Sequence, residues 1–202
     1  MKVSLPLLIN TMITQQQAQQ VLDGALLIHD AETITAAIDK MAQDIEIAIG
    51  YDDQEDQPLL VISVMNGGLI LAGHLLTRLK MPLQMDFIHA TRYRNQTSGG
   101  DLEWKVEPHQ SIKDRRVLIV DDILDEGFTL DEIVKYCRAK GVAKIWTAVL
   151  VKKHHQRPKA DITSDFTGLD VDDHYVFGFG MDYKSYHRNL NAIYAVNETG
   201  TV

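Results

Sequence analysis

The run Val117–Leu130, VLIVDDILDEGFTL, constrains this chain more than any other stretch of it. Four apolar, strand-prone residues, Val117 to Val120, predict a buried β-strand. Two carboxylates, Asp121 and Asp122, follow where that strand is expected to end. Asp125, Glu126, Gly127, Phe128 and Thr129 come next, and a helical pattern begins at Leu130. Strand, acidic turn, glycine-containing loop and helix start form a unit suited to a phosphorylated sugar. Carboxylates accept hydrogen bonds from vicinal hydroxyls, and free amides at a helix start hold a phosphate.

Other readings of the same letters fit less well. An Asp-rich DDILD also suits the metal–pyrophosphate motif of terpene synthases, but that motif lies on a helix in a larger all-helical chain. A strand ending in an Asp pair resembles the first strand of a receiver domain, yet only residues 123–202 follow it here. A solvated acidic turn accounts for the Asp pair and leaves Asp125, Gly127 and Thr129 without a reason.

The rest of the chain reads as α/β. Thr14 to Leu27 predicts a helix with a Gln-rich face. Ile34, Ile38, Met41, Ile45 and Ile49 mark one side of an amphipathic helix. Leu59–Met65 predicts a buried strand, and Gly67-Gly68 opens an apolar helix to Lys80. Leu83–Thr91 returns as a strand. The motif strand and a helix to Lys140 follow, then a strand over Ile145–Val151. This order predicts a mostly parallel twisted sheet flanked by helices on both faces. Ligands of such sheets gather at the C-terminal strand ends, where Met65, Asp121 and Lys152 fall. At 202 residues and 45% hydrophobic, one domain over 1–202 is expected, with a small hood from the N-terminal segment and about 160–187.

Charge and composition narrow the partners. A formal net charge of −8 disfavours nucleic acid and anionic membranes. Cys137 is the single cysteine, so no intrachain disulfide and no cysteine-based zinc cluster are expected. The opening MKVSLPLLINTM has too short an apolar run for a secretory leader, and Pro6 interrupts it. A soluble cytoplasmic protein is the expectation.

Together with the motif, three further segments resemble the hypoxanthine-guanine branch of the type I phosphoribosyltransferases. The resemblance spans most of residues 59–199 and implies that family's fold and its substrate, 5-phosphoribosyl pyrophosphate (PRPP). Met65-Asn66-Gly67-Gly68 resembles the pyrophosphate loop, which carries a non-proline cis peptide mapping onto Met65–Asn66. Familiar members have Lys where Asn66 stands. Val151-Lys152-Lys153 resembles the strand end whose lysine, mapped onto Lys152, donates to the purine 6-oxo group. His154 and His155, beside it, read as surface residues. Tyr175-Val176 through Asp182, then Arg188, resembles the purine and pyrophosphate segment. By that resemblance Tyr175 stacks on the base, Val176 meets its edge and Arg188 pairs with pyrophosphate. Asp182 also lies at the base and is a ligand of the cofactor Mg²⁺, with Asp121 and Asp122 as further metal candidates.

PRPP is expected to contact Asp121, Asp122, Asp125, Glu126, Gly127, Phe128, Thr129, Asn66, Gly67 and Arg188, with Asp125 as catalytic base. Glu126 and Phe128 replace a smaller or basic residue of familiar relatives, and Glu126 is expected to point away from the phosphate. Arg92-Tyr93 and the Gly- and Ser-rich 94–101 resemble a mobile lid; an ordinary surface hairpin is the competing reading. The resemblance implies purine salvage, giving IMP or GMP from hypoxanthine or guanine, by a homodimer or homotetramer. A phosphoribosyltransferase for another base and a PRPP-sensing regulator remain as alternatives.

Overall fold

The structure, a computed structural model, describes residues 13–51, 57–92 and 102–197. Two sheets organise it. The larger has six strands: β2 (Leu59–Val64), β3 (Leu83–Arg92), β4 (Leu102–Val106), β5 (Arg116–Leu124), β6 (Lys144–Lys153) and β7 (Phe166–Val171), in the order β4-β3-β2-β5-β6-β7. All neighbours run parallel except β3 and β4, which pair antiparallel. The smaller sheet has the order β1-β9-β8, from β1 (Leu26–His29), β8 (Val176–Phe177) and β9 (Ile193–Ala195).

The central strands are apolar on both sides because both sides are covered. Ile34, Ile38, Met41 and Ile45 of α2 (Ala31–Ala48) and Leu71 and Leu75 of α3 (Gly68–Leu76) pack with Val61, Leu118 and Leu150. Leu130, Ile133 and Cys137 of α4 (Phe128–Ala139) pack with Leu60, Ile62 and Val149 in a second cluster. Each fully buried Leu or Ile contributes about 1.5–3 kcal/mol relative to exposure. This is the expected α/β architecture.

Several boundaries differ from expectation. The helix predicted over Thr14–Leu27 is α1 (Gln15–Asp23); it stops at Gly24, and β1 then pairs with β9. The motif strand does not end at the Asp pair. Pairing with β6 continues to Leu124 opposite Lys152, since Ile123 and Leu124 still have a parallel partner. Asp121 and Asp122 are therefore inside the strand, and α4 begins at Phe128 rather than Leu130. The stretch 160–187, expected in the hood, is divided: Phe166–Val171 joins the large sheet beside β6, and Val176–Phe177 joins the small one. Its partners β1 and β9 come from opposite ends of the chain, which no local pattern reveals.

Candidate active site

The C-terminal ends of β2 and β5 bring two loops face to face. After β2 the peptide Met65–Asn66 is cis, and Gly67 leads directly into α3, whose start has no side-chain cap. A β-carbon on Gly67 would fall 2.0 Å from Asp122 Oδ2, so only glycine lets this backbone lie against the acidic pair. Asp121 and Asp122 are both buried. The Asp122 amide donates to Asp121 Oδ1 at 2.9 Å. Burial, then the neighbouring Asp122 charge, pushes the Asp121 carboxyl well above the usual carboxylate range, and burial pushes Asp122 up as well.

From the hood side, the turn 178–188 descends onto these loops. Gly180 has φ +103°, and a β-carbon there would meet the Gly67 carbonyl oxygen at 2.3 Å. Arg188 Nη1 donates to the Gly180 carbonyl at 2.6 Å, and Nη2 sits 2.5 Å from Asp182 Oδ1. The Ser185 amide donates to the other Asp182 oxygen at 2.7 Å. Among the described residues, no group of three or more metal-binding side chains is already gathered. Even so, two buried carboxylates held above their normal range suit a hard divalent cation, which would remove the penalty of their charge. Asp182 approaches the same place from the hood.

Asp125 lies in a different setting. Lys153 Nζ is 2.9 Å from its Oδ2, and Arg157 Nη2 is 2.7 Å from its Oδ1. His155 Nε2 comes within 3.1 Å of Oδ1, but out of line for a hydrogen bond. Burial pushes Asp125 up, but Lys153 and Arg157 together outweigh it and hold the carboxyl below the usual range. The expected Lys152 is corrected here. Lys153, its side chain 9% exposed, faces the cleft, while Lys152 does not line it. Adjacent strand residues point to opposite faces, so only one of the two can serve. The surface reading of His155 is corrected too: its side chain is 1% exposed, and its Nδ1 accepts from the Arg157 amide at 3.1 Å. His154 is on the surface, 2.6 Å from Asp170.

A cleft of about 480 Å³ joins these parts, lined among others by Asp122, Asp125, Lys153, Tyr175, Val176 and Asp182. Its size suits a small-molecule ligand. Tyr175 is 49% exposed, stands edge-on to Tyr183 at 5.4 Å and donates to the Asp182 carbonyl at 3.4 Å. Val176, buried, starts β8. Beyond Asp125, Glu126, Gly127, Phe128 and Thr129, expected from the sequence to hold phosphate, form the turn into α4, with Gly127 left-handed at φ +78° and no side-chain cap. Glu126 points to Arg157 Nη1 at 3.2 Å. Arg92 ends β3; Tyr93 and the lid segment 94–101 lie outside the described residues.

Sequence reasoning missed Lys153 as the inward lysine, together with Arg157 and Asp173. Val149-Leu150-Val151 is apolar throughout, so it sets no phase for the two lysines after it. Arg157 sits in an irregular loop where no period applies.

Comparison with known proteins agrees with this geometry. The sequence profile of the phosphoribosyl transferase domain matches residues 26–185. The hypoxanthine-guanine phosphoribosyltransferase of Bacillus subtilis is 32% identical over 169 residues, 82% of this chain and 93% of that protein. The enzyme of the same name from Staphylococcus epidermidis is 33% identical over 144 residues, 71% of this chain and 80% of its own. Among solved structures, a mutant Trypanosoma cruzi hypoxanthine phosphoribosyltransferase in a ternary substrate complex has a TM-score of 0.79 at 26% identity. That match covers 88% of this chain and 98% of the other. On sequence and fold together, this chain belongs to the phosphoribosyl transferase family, among its hypoxanthine-guanine phosphoribosyltransferases.

Proposed function

We propose that this protein transfers the 5-phosphoribosyl group of PRPP to N9 of hypoxanthine or guanine, giving IMP or GMP and pyrophosphate in purine salvage. The observation that carries the reading is one cleft lined by Asp122, which lies against the Gly67 backbone, by Asp182, and by Asp125 with Lys153.

Asp121 and Asp122 bind the ribose hydroxyls, directly or through a metal. Mg²⁺ held by Asp182 and this pair would supply charge neutralisation to the departing pyrophosphate. Arg188, now spanning Asp182 and the Gly180 carbonyl, turns its donors to the pyrophosphate with the amides of Asn66 and Gly67. Residues Asp125 to Thr129 wrap the 5′-phosphate through backbone N–H groups and the Thr129 hydroxyl. Lys153, in place of Lys152, donates to the purine 6-oxo group, while Tyr175 stacks on the ring and Val176 and Asp182 meet its far edge. As Lys153 turns to the base, Asp125 loses one of its flanking cations and becomes a better acceptor for the N7 proton. The lid role assigned by resemblance to Arg92 and Tyr93 would be to exclude water from the reacting ribosyl carbon.

The protein works in the cytoplasm as a homodimer or homotetramer. Among the described residues no helix is long and apolar enough to cross a membrane, and Met85 and Phe87 stand exposed on β3.

Nucleotide formation from hypoxanthine, guanine and adenine, with PRPP, tests the reading. Adenine should be at least about a hundredfold poorer, because its amino group meets the Lys153 ammonium donor to donor. Activity should vanish in EDTA and return with Mg²⁺ or Mn²⁺. Equal use of adenine would remove the chain's 6-oxopurine assignment, and full activity in chelator would remove the metal.

A further inference from the structure

The phosphate loop of this chain carries an acid, Glu126, next to Gly127, Phe128 and Thr129. A carboxylate there opposes any phosphate held by the loop amides. The loop after β6 answers it. Arg157 Nη1 pairs with Glu126 Oε1 at 3.2 Å, and the Ala160 amide donates to the Glu126 carbonyl at 2.8 Å. Ile162 then packs under Gly127, its Cγ2 2.9 Å from where a β-carbon would stand. Residues 157–162 thus underlie the phosphate loop through an ion pair, a backbone bond and an apolar contact.

Arg157 does more than meet Glu126. Its Nη2 lies 2.7 Å from Asp125 Oδ1 and 2.9 Å from Asp173 Oδ1. One planar guanidinium therefore joins two adjacent acids of the phosphate loop to an acid beside the base-stacking Tyr175. Arginine suits this because its fork presents several donors in fixed directions. A simple surface pair shifts an equilibrium by less than about fivefold. Arg157 is 41% exposed, but it collects three carboxylates from two segments, and their mutual repulsion is what it relieves.

We propose that Arg157 is a positioning residue that makes an acidic phosphate loop workable. It holds the Glu126 carboxylate away from the phosphate-binding amides and fixes Asp125 toward the base. The proposal rests on the reading of residues 125–129 as the PRPP 5′-phosphate loop.

The test is a two-by-two comparison of the full-length enzyme: native, Arg157→Gln, Glu126→Gln and the double variant, assayed with hypoxanthine, PRPP and Mg²⁺. Without the Arg157 pair, the Glu126 charge should raise KM for PRPP about tenfold, and a loosened Asp125 should lower kcat severalfold. In the Glu126→Gln background the KM rise should shrink to under about threefold, while the kcat loss persists. A KM rise of equal size in both backgrounds, or none in either, overturns the proposal. Thr129→Val serves as the separate check on the loop. If it leaves KM for PRPP unchanged, the phosphate-loop reading fails, and the proposal with it.

Discussion

Asp122 and Asp125 are close neighbours along one strand and its turn, yet the fold treats them in opposite ways. The pair Asp121–Asp122 is buried against the Gly67 backbone; burial pushes both carboxyls up, and the Asp122 charge raises Asp121 further. Asp125 is ringed by Lys153, His155 and Arg157, and its carboxyl is held down. The first arrangement carries a charge penalty that Arg188 relieves only in part. The second is already satisfied and must give up a partner to act. Under the proposed mechanism, the first site would take a metal-bound sugar pyrophosphate and the second a neutral base.

The sharpest test of this contrast is Asp125→Asn, which keeps the shape and removes the basicity. We expect kcat to fall about 10²–10⁴-fold, with a modest change in PRPP affinity by initial-rate kinetics. An undiminished kcat would take Asp125 out of the mechanism. Next in size is the lysine pair. Lys153→Met should lower kcat/KM for hypoxanthine and guanine about a hundredfold, through loss of the donor to the 6-oxo group. Lys152→Met should cost far less; the reverse ranking would put the inward lysine back at Lys152.

The smallest effects are on stability, and they should differ in sign. Asp121 has a raised carboxyl in the folded protein, so its burden is absent below the ordinary carboxylate range near pH 4. The burden grows as pH rises toward the raised value. Asp121→Asn should therefore stabilise the ligand-free protein by ~1 kcal/mol near pH 8, or roughly 2–4 °C in Tm, and by less at pH 4.5. Asp125, with its lowered carboxyl, contributes stability above the ordinary range that is lost as pH falls through its depressed value. Asp125→Asn should lower Tm at neutral pH. Thermal melts of both variants at two pH values would show it, and shifts of the same sign would dissolve the contrast.

The half of the site nearest the acidic pair was legible in the residues. Its chemistry is local: a buried strand, an acid pair, a glycine beside each loop, with Asp182 and Arg188 in one short turn. Even the cis peptide lies at Met65–Asn66, where the resemblance puts it. The other half was not. The phase of Lys152-Lys153 is undefined by a strand apolar on both faces, and ladder pairing to β5 and β7 decides it. Arg157 reaches Asp125 and Glu126 on one loop and Asp173 on another, a convergence that exists only after folding. The expected hood included the segments of β1 and β8 but took in β7 and left out β9, because strand pairing between distant parts of the chain decides both.

The backbone contact between Gly180 and Gly67 bears on how such a site can change over generations. There, next to the cleft-lining Asp122, main chain lies against main chain, with no room for a single added methyl group. No one-codon change that keeps the approach can reshape that contact. The cleft itself is lined in part by Lys153, Arg157 and Asp173, which can be lengthened, shortened or recharged one at a time. Adaptation to a new ligand is therefore expected to enter through those side chains, leaving the glycine contact as an inherited frame.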